Sequence, residues 1–181
     1  MSADACLTPE ERAHAIRLLE ETADEFLNLI SGLNGEQWTR KPITDGWPVQ
    51  QIAEHMVLAE KAMFAKVQEA LASPPHVDWV TVAARKTAYI GRVLPDRKQK
   101  AAAPSGLEPH RGWSIEETVA HFRAGRARTL EFARKTDRPL KGHISRHPFP
   151  LFDLLNAHQW LLYIPLHNVR HNRQIAEVLQ V

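Results

Sequence analysis

The chain has a single cysteine, Cys6, among 181 residues. It cannot form an intramolecular disulfide, which fits a reducing compartment, and cytoplasmic residence is expected. A cysteine so near a frayed terminus is ordinarily inert rather than a nucleophile. Strong charge of either sign is missing too. Lys and Arg number 23 and Asp and Glu 21, leaving +2. That balance argues against a dedicated nucleic-acid binder. The one basic run, RKQK (97–100), has no aromatic side chains interleaved with it and reads as a solvated loop. MSADACLTPEERAH lacks a basic segment followed by an apolar one, so no secretory signal is expected. No apolar run approaches the roughly 20 residues that cross a bilayer, so no membrane span is expected. Strand-type alternation is also absent, and no sheet is anticipated.

What is present is a core and an excess of histidine. Hydrophobic residues make up 44% of the chain, enough to fill an interior, and there are ten histidines. The length suits one domain over 1–181.

Four long helices can be read. Residues 8–33 begin with Thr8 as a cap, Pro9 in the first turn and Glu10 and Glu11 at the positive dipole end. Residues 48–72 carry Val49, Ile52, Met56, Met63 and Val67 at three- and four-residue steps, and Pro74-Pro75 stops them. Residues 114–136 open with Ser114 and Glu117 spaced as a capping box. Residues 151–181 are apolar all round in the middle, so this helix should be central or lie at a subunit interface. Pro165 is expected to kink it. Between the second and third helices, 74–112 form a long excursion with a short helix over 77–94. Residues 35–46 and 138–150 read as connectors. The class is all-α, a four-helix bundle.

Two stretches are nearly alike: GWPVQQIAEH (46–55) and GWSIEETVAH (112–121). Each sets Gly-Trp outside a helix and a histidine on its second turn. Trp47 and Trp113 are placed to staple the helix starts. The fourth helix carries HNVRH, with His167 and His171 four residues apart and so on one face. On a helical wheel Trp160, Ile164, Gln174, Ile175 and Val178 fall within about 60° of that pair, so the face points inward. Two buried imidazoles need partners, and a transition metal would satisfy both. Two ligands do not complete a site. The candidates for a third are His55, His121, His147 and His158. His158 is about 13 Å from His167 along the axis and out of phase. His147 sits in a loop and cannot be placed. Phase does not separate His55 from His121, since both lie off the main apolar stripe of their helices with small residues beside them. Glu54 adjoins His55 but points about 100° away, so it is given no role toward the imidazoles.

The run LNAHQWLLYIPLHNVRHNRQIAEVL resembles the last helix of the DinB/YfiT-like superfamily, which carries a His-x-x-x-His pair followed by Gln-Ile. GWPVQQIAEHMVLAE is similar to that family's second helix, and HPFP (147–150) to its His-Pro-Phe segment. The resemblance covers most of the chain and is weakest over 74–112. It implies an up-down-down-up four-helix bundle, in many members a homodimer. It also implies a divalent metal, zinc, nickel or iron, held by His55, His167 and His171, with no ligand role for His121. Family activities imply a metal-dependent enzyme on a small molecule, either an S-transferase using a low-molecular-weight thiol or a hydrolase. The alternative is a stress-response protein that binds metal or ligand without turnover.

Overall fold

The computed structural model describes residues 5–43, 46–98 and 103–180. Met1–Asp4, Gln99 and Lys100 of the basic run, and Val181 at the end of the fourth helix lie outside them. Four long helices dominate: α1 (Pro9–Ile30), α3 (Val49–Ala72), α6 (Ile115–Lys135) and α7 (Ala157–Leu179). Shorter helices fill the connections: α2 (Gly35–Trp38), α4 (Trp79–Ala83) and α5 (Lys86–Val93).

The helix starts follow their local chemistry. Thr8 and Glu11 form a full capping box on α1, and Ser114 and Glu117 form one on α6. Each satisfies two of the backbone donors that a helix leaves open. α7 starts later than expected, at Ala157 instead of 151. Asn156 and Gln159 make a third capping box there. Asn156 also ends β2 (Leu154–Asn156), which pairs antiparallel with β1 (Ile144–Arg146). The expectation of no sheet is therefore corrected. Each strand is three residues long, too short for an alternation to be visible in sequence. Likewise 77–94 holds two helices, α4 and α5, in place of one. α7 runs on through Pro165 as one helix.

α7 packs against both α3 and α1, and α6 packs against the same two. Contacts at different heights give the helix senses. Arg12 donates to the carbonyls of Ala133 and Thr136, while Arg126 reaches Leu19, so α1 and α6 are antiparallel. Glu60 meets Arg126, and Arg138 donates to the carbonyl of Leu71, so α3 and α6 are parallel. Arg126, bonded at Leu19, also reaches Asn168, and Asn172 donates to the Thr22 carbonyl and to Glu25. Thus α1 and α7 run one way, and α3 and α6 the other. Residues 157–165 of α7 are buried without a break. The apolar middle of α7 is therefore used inside the chain, and no subunit interface is needed to cover it.

Between two apolar clusters lies a polar tie. The upper cluster holds Phe26, Ile52, Met56, Phe122 and Ile175, and the lower one Leu19, Val67, Ala133, Leu161 and Ile164. Arg126 is 3% exposed and meets both Glu60 oxygens at 3.0 Å. It also donates to the Leu19 carbonyl and to Asn168 at 2.9 Å, and Thr129 donates to Glu60 at 3.0 Å. One residue cluster thus joins all four long helices. Removing one partner of such a pair typically costs about 3–5 kcal/mol, because the other charge is left buried alone.

Candidate metal centre

α3 and α7 pack closely, and their contact face carries three histidines. His55 comes from the second turn of α3, and His167 and His171 from successive turns of α7. Their ring centroids lie 4.4 to 5.3 Å apart. One nitrogen from each ring falls within 4.8 Å of the others. The two Nε2 atoms of His167 and His171 are 3.2 Å apart. Tetrahedral zinc with Zn–N near 2.0–2.1 Å would set ligand nitrogens about 3.3 Å apart. The donor set, three imidazoles and no carboxylate, is of the kind that suits zinc, copper, iron or nickel.

The outward nitrogens show how two rings are aimed. His55 Nδ1 lies 2.8 Å from the Leu107 carbonyl, which can only accept. The hydrogen is therefore on Nδ1, and Nε2 carries a free lone pair. His171 Nδ1 lies 2.8 Å from Gln174 Oε1 in the same sense. Such bonds fix the tautomer and raise the basicity of a ligand. His167 Nδ1 is buried with no partner among the described residues, so no hydrogen bond on its outward side fixes this ring. Burial lowers the pKa of all three. His55 is lowered against the opposing pull of the Leu107 carbonyl, and His171 falls to about 3. His167 is pushed well down by burial and by its two histidine neighbours. Neutral imidazoles are the form that ligates a cation.

Glu54 is 1% exposed. Its carboxylate accepts the backbone N–H groups of His110, Arg111 and Gly112 at 2.9 to 3.1 Å. Gly112 has φ +69, a left-handed conformation that glycine adopts without strain. That turn lets successive N–H groups converge on one anion. The tie fixes the returning end of the excursion, five residues downstream of Leu107. Glu54 thus acts on the site through the loop that carries the acceptor for His55.

The other histidines are elsewhere. His121 is exposed, with its ring 4.4 Å from Trp113. His158 is buried in the first turn of α7, its Nε2 has no partner, and burial lowers it to about 4. His147 follows β1, and its ring stacks on Trp160 at 4.8 Å. A family profile described as the DinB superfamily matches residues 18–175. The chain belongs to the DinB superfamily. The uncharacterized protein YuaE of Bacillus subtilis (strain 168) is 25% identical over 171 residues, which span 89% of this chain and 94% of YuaE. The solved structure of YfiT from Bacillus subtilis covers 96% of this chain and 89% of its own, with a TM-score of 0.64 and 16% identity. YfiT is described as a probable metal-dependent hydrolase with an unusual four-helix bundle topology. At that identity the likeness speaks for the fold.

The three histidines of this DinB-superfamily chain open into a cavity of about 800 Å³. The excursion and the loop after β1 wall it, with Tyr89, Val93, Phe149 and Phe152 facing Tyr163 of α7. Lys66, Arg92 and Arg170 also line it. Sequence reading found none of these wall residues apart from the HPFP segment. Tyr89, Arg92 and Val93 come from the excursion, and Lys66, Tyr163 and Arg170 from α3 and α7, where helical spacing alone does not mark a cavity wall. No helix among the described residues is long and apolar enough to cross a membrane.

Proposed function

We propose that the chain is a metal-dependent enzyme acting on a small molecule, with His55, His167 and His171 as the metal ligands. The observation that carries this is the convergence of three neutral imidazoles at the wall of a large, mostly apolar cavity. A divalent cation held there would supply a Lewis acid and make a nucleophile available near neutral pH. His55 and His171 are aimed by the Leu107 carbonyl and Gln174, so both present Nε2 without rearrangement. The aromatic walls remove water from a bound substrate and strengthen electrostatic contacts inside. Three protein ligands leave a position open, as catalytic rather than structural zinc sites do.

Hydrolysis is the reaction favoured here, in keeping with the description of YfiT. Transfer to a low-molecular-weight thiol uses the same open position and is the second reading that the family resemblance supports. The test is elemental analysis of purified protein, followed by a screen of metal-loaded protein. Esters and amides form one arm, and thiol plus electrophile pairs the other. About one metal per chain and turnover in the first arm is the expected result. Turnover only with thiol selects the second reading. Metal without turnover in either arm selects a binding protein. No bound metal after reconstitution removes the proposal.

A further inference from the structure

The cavity has a second polar end, distinct from the three histidines. His147 lines it and is only 5% exposed. Its Nδ1 accepts the backbone N–H of Phe149 at 3.0 Å. A backbone N–H cannot accept, so the ring hydrogen sits on Nε2. That Nε2–H has no hydrogen-bond partner among the described residues. The ring cannot swing to find one. Trp160 stacks on it at 4.8 Å, and Phe152 and Tyr163 close it at 4.7 and 5.1 Å. That N–H meets no acceptor among the described residues and lies on the cavity, so a ligand entering there can take it.

The charges around the cavity are mostly positive. Among the described residues Lys66, Arg92 and Arg170 line it against one carboxylate, Asp96. Lys66 and His147 line the same cavity. Its ammonium bonds Glu69 at 2.6 Å, an exposed pair that leaves two of its hydrogens to give. Tyr163 stands between the two ends, 5.1 Å from His147 and 6.4 Å from His167 by ring centroids. The space between is walled by aromatic and aliphatic side chains.

We infer that the cavity takes a small molecule with an apolar, aromatic-sized body and a carboxylate, and that the carboxylate is received by His147 Nε2–H and Lys66. The other end of such a molecule lies toward His55, His167 and His171. This deepens the proposed function by naming a substrate class, and it rests on that reading for the placement of the reacting end. The carboxylate subsite itself needs no metal.

The test uses metal-free full-length protein and two matched probe pairs: phenylacetate against phenylacetamide, and phenylbutyrate against its primary amide. Binding is followed by calorimetry and by histidine side-chain NMR. The acids should bind about 10-fold more tightly than the amides, as a charge-assisted bond implies. His147→Phe keeps the stack but loses the donor, and it should erase that preference. His147→Gln restores an N–H near the Nε2 position and should recover part of it. Lys66→Met should reduce it independently, should either His147 variant fold poorly. Equal affinity for acid and amide, no binding of either, or an unchanged preference in both His147→Phe and Lys66→Met would overturn the inference. His171→Ala separates the two readings. A retained preference with metal binding lost supports the carboxylate subsite whatever becomes of the metal centre. A preference absent from metal-competent wild type sinks the subsite alone.

Discussion

GWPVQQIAEH and GWSIEETVAH build nearly the same local object. In each, a tryptophan just outside the helix folds back on the histidine of the second turn. Trp47 lies 5.0 Å from His55, and Trp113 lies 4.4 Å from His121. Everything beyond that turn differs. His55 is 4% exposed and meets two histidines of α7, while His121 is exposed. The residue before each histidine differs as well. Glu54 is buried and clamps the loop at 110–112, whereas the matching position holds Ala120. The repeat is thus a way of starting a helix, and function is added by what packs against it. α3 faces α7 at this height. α6 packs against α1 and α3, and its His121 points to solvent.

The sharpest break of this comparison is a pair of ligand deletions. His55→Ala should lower metal affinity by more than about 100-fold, beyond the 10–100-fold usual for losing an outer partner of a ligand. His121→Ala should leave metal content at the wild-type value. Elemental analysis of both proteins after identical reconstitution decides it. Equal losses would mean that the two histidines are equivalent after all.

Glu54→Gln tests whether the neighbouring residue is part of the difference. The amide keeps one acceptor oxygen but loses the charge and the second acceptor toward three N–H groups. A stability loss of about 1–3 kcal/mol is expected from denaturant unfolding. Metal affinity should fall about 10-fold, because the Leu107 carbonyl loses its fixed position. Unchanged affinity with reduced stability would make Glu54 a purely structural clamp.

Much of this was legible in sequence, and the limits have physical causes. The capping boxes at Thr8 and Ser114 were readable because a cap is a local event. The His167/His171 pair was readable because helical spacing fixes which side chains share a face. The choice between His55 and His121 was not, since both have the same phase within their own helix. Only the resemblance to a family singled out His55. Arg126 and Glu60 were invisible because nothing local marks a charge destined for a four-helix contact. Asn156 was missed as a helix start because 151–155 are as apolar as the helix that follows.

Buried and exposed histidines should also separate by pH. In metal-free protein His147 and His158 are held down to about 4 by burial, against an ordinary value of 6.5. Above pH 6.5 neither folded nor unfolded chains protonate them, and their contribution to stability is full. Between about 6.5 and 4 the unfolded chain binds protons that the folded one refuses, so stability falls with acid. Each such group costs up to about 1.4 kcal/mol per pH unit in that window. His158→Leu should flatten the fall between pH 6.5 and 4.5, measured by urea unfolding in chelator. A slope identical to wild type would mean that His158 is protonated, or solvated, in the folded chain.

The smallest effect expected is that of Arg111→Ala. Arg111 Nη1 lies 3.5 Å from Glu54 Oε1, but its side chain is 40% exposed. An ion pair with one wet partner is worth about 0–1 kcal/mol. The three backbone N–H groups that hold Glu54 do not depend on the Arg111 side chain, and they remain. Stability should fall by less than about 1 kcal/mol, and metal affinity should stay within about 3-fold of wild type. The contrast with Glu54→Gln is the informative part. If Arg111→Ala matched it, the guanidinium would be holding the loop, and the difference between the two Gly-Trp-to-His stretches would rest on a surface charge. If it falls well short, that difference rests on a backbone turn at Gly112 wrapped round one buried carboxylate.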